Sequence, residues 1–381
     1  MTISLPRIPV PPAWARLLPG TSRWFGPPRR CASVAEYARR APLETLAAGT
    51  AENVPAPSVV TFGPVDAAYV PERAVAIPAP RVFRLQDAAV YGPDAHLVAP
   101  DDTFLWDAAW HRGGELTGPV YGRKLFWRRR GRPRRRLAGR TAVIGSDWAI
   151  GGFGHFLTDA LPRWRLLQDG GHAGADFDQI VLYHPGTPPV LRLLAAAGIP
   201  ADRLVPYDER CDLECAEMVA TTFPGAAPAI SPDAASWLRR LVPDQNPREA
   251  VYLTRQGWLR HPANADEIER ELAHRGYRAI QGAADAGTLD ACAHARIIIG
   301  VEGANLFNVC FAAPGTRVIV LLPHPGVLPY IPWLCRAAQL PVAVVAAKPG
   351  SSPDAPVFPM ADLRLALDWA MNAATDRSLA P

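Results

Sequence analysis

Residues 296–323 read R-I-I-I-G-V-E-G-A-N-L-F-N-V-C-F-A-A-P-G-T-R-V-I-V-L-L-P. The apolar runs 297–299 and 318–322 are short and bounded by Gly and Pro, the pattern of strands buried on both faces. Between them Gly300 and Gly303 flank a tight turn, residues 304–311 span two helical turns, and Pro314-Gly315 punctuates the return. The stretch is expected to form a strand–turn–helix–strand unit whose helix begins at the C-terminal edge of a sheet. Open α/β proteins hold ligands at that edge, and the free N–H groups of a helix start favour an anion. Taken alone, the unit serves equally well as a structural crossover.

The flanking sequence continues the alternation. Strands are expected at 250–254, 277–280 and 342–345, with helices at 265–275, 286–293 and 330–338; Gly276 supplies a C-cap. Right-handed crossovers then give a doubly wound parallel sheet. At the end of its first strand the chain reads Y-L-T-R-Q-G-W-L-R-H-P-A-N, so Arg255 and Arg260 fall on the ligand edge. Two guanidiniums there can clamp a diphosphate, each charge-assisted hydrogen bond contributing about 1.5–3 kcal/mol. Asn264 with Glu267 three residues later reads as a capping box for the next helix.

Residues 242–249 are polar, contain two prolines and interrupt the periodicity, which marks a domain boundary. Before it, strands are expected at 141–144, 179–183 and 217–221, with helices at 189–197 and 233–241. After the first of these strands comes G-G-F-G-H-F-L-T-D-A-L-P-R-W-R. Gly152 and Gly154 imitate a dinucleotide fingerprint, but Leu157 stands where a third small residue belongs. His155, Asp159 and Arg163 share one helical stripe, which suits a proton acceptor oriented by a partner and equally a surface ion pair. Pro162 is expected to kink or restart this helix. Asp176-Phe177-Asp178 has the D-x-D form of a metal-chelating pair, yet it precedes a strand and so falls on the wrong edge.

Residues 1–57 alternate Pro with apolar residues and read as a partly ordered arm with one short helix near 34–40. Strand-like segments at 58–62, 82–85, 88–91, 96–99 and 103–106 lie too close together for helical crossovers and imply antiparallel hairpins. Residues 123–140 carry ten Arg or Lys with Phe126-Trp127 among them, expected as a solvated loop able to meet anionic lipid headgroups. With a net charge of only +4 and no nucleic-acid module, nucleic acid is the weaker partner.

At 381 residues the chain has room for two domains, and 49% hydrophobic with 20% charged residues suits a soluble globular protein. No span has the run of about 18 apolar residues that crosses a bilayer, and the first residues lack a signal peptide's pattern. Six scattered cysteines fit buried thiols in a reducing compartment. The expected location is the cytoplasm, with peripheral contact to the inner face of the membrane.

Three stretches together carry a family resemblance: G-H-F-L-T-D-A-L-P-R; Y-L-T-R with R-x-x-x-N; and I-I-G-V-E-G-A-N-L-F-N-V-C-F-A-A-P-G-T. Their order resembles glycosyltransferase family 61, in particular bacterial members described as capsular-polysaccharide biosynthesis proteins. R-V-F-R-L-Q-D-A-A-V-Y-G-P is also similar to the region preceding the histidine motif, so the resemblance spans about residues 80 to 325. The chain departs from the family pattern at Glu302, where a His is usual, at Leu321, where a Glu often stands, and at Ala265.

The resemblance implies a GT-B-like α/β fold: two Rossmann-like domains facing a cleft, with extra short strands in the N-terminal part. The expected units are an arm at 1–57, an acceptor-side domain at 58–243, a nucleotide-sugar domain at 244–350, and a final helix within 351–381 returning to the first domain. It also implies an inverting, metal-independent transferase moving a sugar from a nucleotide sugar, a UDP-sugar by expectation, to a glycan or lipid-linked saccharide, with no cofactor. Asp159 or His155 is then the base, and Gly154 and Arg163 lie on the acceptor side. Arg255 and Arg260 take the diphosphate, Gly303, Ala304, Asn305 and Asn308 line the donor, and Glu302 accepts hydrogen bonds from ribose or sugar hydroxyls. The rival expectations are a non-catalytic polysaccharide-binding protein retaining the fold, and a nucleotide-cofactor enzyme such as an epimerase.

Overall fold

Apolar runs flanked by glycine and proline become the central strands of the second of two large sheets. In the computed structural model the described residues are 30–92, 95–109, 133–146, 149–184, 186–206, 208, 211–243, 245–281 and 287–372. The second sheet is wholly parallel and carries the site. Its order is Arg278–Gln281, Glu249–Thr254, Ala295–Val301, Arg317–Leu322, Val342–Ala346 and Val59–Phe62. Counting from Glu249–Thr254, the first five run 2-1-3-4-5 in chain order. In such a sheet the connections leave in opposite directions from strands 1 and 3, opening a crevice at their C-terminal ends. Thr254 and Val301 end those two strands.

The sixth strand overturns one expectation. Val59–Phe62 was expected among N-terminal hairpins, yet it lies parallel to Val342–Ala346 at the edge of the second sheet. Four residues, V-V-T-F, specify a strand without specifying which sheet completes it. The last helix, Met360–Asn372, packs on the second sheet, including its edge strand Val59–Phe62. Leu363, Ala366, Leu367 and Ala370 pack with Tyr252, Ile299, Ile319 and Val345 of the second.

The first sheet is mixed, where a parallel Rossmann-like arrangement was expected. Arg81–Tyr91 pairs antiparallel with Asp212–Thr221, His96–Val98 and Glu44–Ala48. Asp212–Thr221, Arg134–Val143 and Gln179–Val181 run parallel to one another. Arg134–Val143 also corrects the loop reading of the basic run, whose residues 123–132 lie outside the described residues. Its arginines meet carboxylates on neighbouring strands: Arg134 with Glu214 at 2.7 Å, Arg140 with Glu217 at 2.6 Å and Arg136 with Asp87 at 2.9 Å.

One buried cluster joins the two halves. Phe153, Phe156, Leu157, Leu161 and Trp164 belong to it together with Leu306, Phe307, Val309 and Phe311 from the second half. The helical run beginning at Phe153 is thereby fixed against the short helix Ala304–Phe311.

Candidate active site

The run beginning at Phe153 is not a uniform α-helix. An α-turn over Phe153–His155 passes into a π-turn, Phe156–Ala160, and then into the α-helix Leu161–Asp169. Pro162, near the start of the last segment, offers no N–H to the preceding turn, and a widened turn accommodates that loss. The sequence expected a kink or restart here, and the π-turn takes that place. It carries Asp159, which is buried.

His155 Nδ1 lies 2.7 Å from Asp159 Oδ2, and Thr158 Oγ1 donates to Asp159 Oδ1 at 2.7 Å. The carboxylate thus has a partner on each oxygen and sits behind the imidazole. Of the pair, His155 is the member that reaches solvent, its side chain 26% exposed against 3% for Asp159. A carboxylate that accepts from Nδ1–H fixes the tautomer in which Nε2 is the basic nitrogen. The His155 ring meets Tyr330 edge-on at 5.8 Å, and Tyr330 in turn contacts Phe307. At Gly154 the approach is so close that a Cβ would lie 2.9 Å from the Phe307 ring, so only glycine lets the two halves meet there.

Arg163 does not join this stripe as an acceptor residue. It is buried, and its guanidinium donates to the carbonyls of Asp159, Thr221 and Ala108 at 3.1, 3.3 and 2.7 Å. Its plane lies over the Phe223 ring at 5.7 Å. Asp176 and Asp178 accept from the backbone N–H groups of Ala173 and Arg140 at 2.6 and 2.7 Å. Asp176 therefore fastens a turn, and Asp178 ties its segment to the strand Arg134–Val143.

At the other wall, Arg255 follows the strand Glu249–Thr254, and its Nε donates to the Leu259 carbonyl at 2.9 Å. This closes a loop on which Trp258 is 67% exposed. Arg260, at a φ of 65°, donates its backbone N–H to Asp354 and its Nη1 to the Glu302 carbonyl at 3.3 Å. Between the two guanidiniums lies Gly303, whose φ of 144° favours glycine. A Cβ at Gly303 would collide with Arg255 Nη1.

Neither guanidinium has a carboxylate within ion-pair reach among the described residues. Arg255 Nη1 is buried with no hydrogen-bond partner. Desolvation, followed by the neighbouring Arg260 charge, holds the Arg255 guanidinium below its ordinary pKa. A buried donor on a cation that repels its neighbour is costly unless an anion completes it.

The floor is the 3₁₀ helix Ala304–Phe311. Asn305 Nδ2 donates to the Thr254 carbonyl at 3.0 Å and Asn308 Nδ2 to the Asn305 carbonyl at 2.8 Å, which ties the helix start to the strand bearing Arg255. Oδ1 of Asn305 and of Asn308 are buried and unpartnered, whereas Ala304 is exposed.

Glu302 is 2% exposed, and one of its carboxyl oxygens accepts from the Tyr69 hydroxyl. Desolvation raises its pKa to about 8, against the lowering pull of Tyr69, Arg260 and Arg255. Tyr69 is a site neighbour that sequence reasoning missed; it lies 233 residues from Glu302 in a proline-rich stretch with no distinguishing pattern. Asn264 stands at the predicted helix start but makes no cap with its side chain, which instead brackets the Phe358 backbone through both its donor and its acceptor.

Residues 153–319 match the family model described as Glycosyltransferase 61. That span runs from the helix bearing His155 and Asp159 through both arginines and the floor helix. No curated protein matches the chain. The matched region is similar to glycosyltransferase family 61, and the match supports a glycosyltransferase enzyme.

Proposed function

We propose that this enzyme transfers a sugar, with inversion at the anomeric carbon, from a UDP-sugar to a hydroxyl of a glycan or lipid-linked saccharide. The observation that carries the proposal is the pair of arginines at the sheet's switch point. Arg255 and Arg260 converge on Gly303 without a carboxylate partner among the described residues, and Arg255 keeps a buried, unbonded Nη1. A diphosphate supplies the missing charge and the missing acceptors.

His155 then acts as the base and Asp159 as its orienting partner. The acceptor hydroxyl gives its proton to the imidazole as its oxygen forms the new bond to the anomeric carbon. The bond from that carbon to the diphosphate oxygen breaks, and the electron pair leaves with the nucleoside diphosphate. A positioned base contributes about a hundred- to ten-thousandfold in rate. The charge growing on the leaving group meets the two guanidiniums and the exposed start of the floor helix, which act most strongly where charge develops.

A GT-B-like arrangement, with the acceptor on the side of the first sheet, accommodates these roles, and the reaction as written needs no metal or cofactor. A role in capsular polysaccharide assembly in the cytoplasm, at the membrane's inner face, follows from the family resemblance and from the basic run at 123–132. No helix among the described residues is long and apolar enough to cross a membrane. Calorimetry with a panel of nucleotides and nucleotide sugars tests the reading. Binding of a UDP-sugar with slow hydrolysis is the expected result. Binding of oligosaccharide alone contradicts it in favour of a non-catalytic role, and tight NAD binding removes it altogether.

A further inference from the structure

The donor site as proposed contains a contradiction. Glu302 sits next to Gly303, so an acidic side chain is buried among the two arginines meant for an anion. Its carbonyl is already bonded to Arg260 Nη1, and Arg255 Nη1 fills the space beside the next residue. An ionised carboxylate there interacts electrostatically with both guanidiniums and can offset their charge before any diphosphate arrives. In the structure it does not pair with either arginine. It turns instead to Tyr69.

Tyr69 is held rigidly for this contact. It ends the short helical turn Ala67–Tyr69, which Asp66 caps by accepting from the Ala68 N–H at 2.9 Å. The chain reaches that turn from Val59–Phe62, the edge strand of the second sheet, and leaves it for Val75–Ile77, which pairs with Glu52–Val54. The ring is 2% exposed within the cluster that joins the two halves. Tyr69 is therefore delivered by the part of the chain that crosses between sheets.

We infer that Tyr69 is a positioning residue of the donor site: by holding the Glu302 carboxyl it keeps that acid away from Arg255 and Arg260, so that both guanidiniums meet the diphosphate. The inference rests on assigning those arginines to the diphosphate. Burial supports it from the other side, because the carboxyl is driven toward its neutral form and Tyr69 is pushed well above the ordinary tyrosine range. A neutral acid bonded to a phenol has little charge to offer the arginines. Removing the hydroxyl leaves the carboxyl with the guanidiniums as its remaining strong partners. Once turned onto them it is held ionised by their positive charge, which replaces the lost phenol bond, and it competes with the ligand.

The test is a double-mutant cycle on the full chain, read as the Kd for UDP and, to take the base out of the comparison, for inorganic pyrophosphate. Tyr69→Phe is expected to weaken both ligands about tenfold. Glu302→Gln introduced into that variant is expected to restore affinity to within about twofold of Glu302→Gln alone, since the competing charge is gone. A merely structural tyrosine gives a loss that Glu302→Gln leaves in place, and that result overturns the inference, as does wild-type affinity in Tyr69→Phe. Arg255→Ala distinguishes the two levels of the argument. If it weakens both ligands while Tyr69→Phe does not, the donor site stands and the role of Tyr69 falls; if Arg255→Ala has no effect, the donor assignment falls and the inference with it.

Discussion

Arg163 lies over the Phe223 ring with its guanidinium bonded to three backbone carbonyls, whereas Arg255 approaches Gly303 with a buried Nη1 that bonds to nothing among the described residues. The same side chain is used in opposite ways in the two halves. Where the protein itself supplies acceptors around a cation, the cation serves as a brace: Arg163 ties the π-turn backbone to the strand Asp212–Thr221 and to the turn Trp106–Ala108. Where acceptors are missing and a second cation stands alongside, the acceptor is expected from outside. Burial alone separates nothing here; the completeness of the hydrogen-bond set does.

The comparison can be broken at several points. The largest effect belongs to the residue whose backbone Arg163 braces. Asp159→Asn is expected to lower kcat by a hundred- to ten-thousandfold while leaving the Kd for UDP nearly unchanged, because the amide no longer holds the His155 tautomer. Full activity in that variant removes Asp159 from the mechanism.

Arg163→Ala is next. It strands three carbonyls and opens a cavity against Phe223, and is expected to cost about 3–5 kcal/mol of stability in denaturant unfolding. Arg255→Ala should do the reverse. Its stability should change by no more than about 1 kcal/mol, since the lost bond to Leu259 is offset by relief of a desolvated N–H repelled by Arg260. Its UDP affinity should fall about ten- to a hundredfold. If both variants lose stability alike, the distinction between brace and site disappears.

The smallest effect is a slope. Desolvation raises the Glu302 pKa to about 8 in the folded chain from its ordinary 4.5. Between those values the folded state keeps a proton that the unfolded state has released, so this group makes stability fall as pH rises, by up to about 1.4 kcal/mol per unit. Asp107, raised to about 6 mainly by desolvation, acts in the same direction over its own range. Glu302→Gln should flatten the decline between pH 5 and 8 when stability is measured by urea unfolding. An unchanged slope means that Glu302 is ionised in the folded protein.

Much of the second half was legible in the sequence because its strands are apolar runs punctuated by Gly and Pro and joined by short helices. That reading put Arg255, Arg260 and Gly303 on one edge, and the spacing of His155 and Asp159 put both on one face. The missing parts depend on contacts between distant segments. Nothing local in V-V-T-F says that it completes the far edge of the second sheet, and nothing around Tyr69 says that it faces Glu302. The basic run looked like a loop because its carboxylate partners, Glu214, Glu217 and Asp87, are visible only once strand pairing is known. Arg163 looked like part of a catalytic stripe because helical spacing reports a face without reporting whether that face is closed.

The central claim is that the crevice between the ends of Glu249–Thr254 and Ala295–Val301 receives the diphosphate of the donor. A structure of the protein with UDP bound tests it most directly. The account predicts phosphate oxygens within hydrogen-bond distance of Arg255 Nη1 and Arg260, over the backbone of Gly303, with the Glu302 carboxyl still turned to Tyr69. UDP seated elsewhere, or Glu302 swung onto the arginines with the nucleotide displaced, contradicts it.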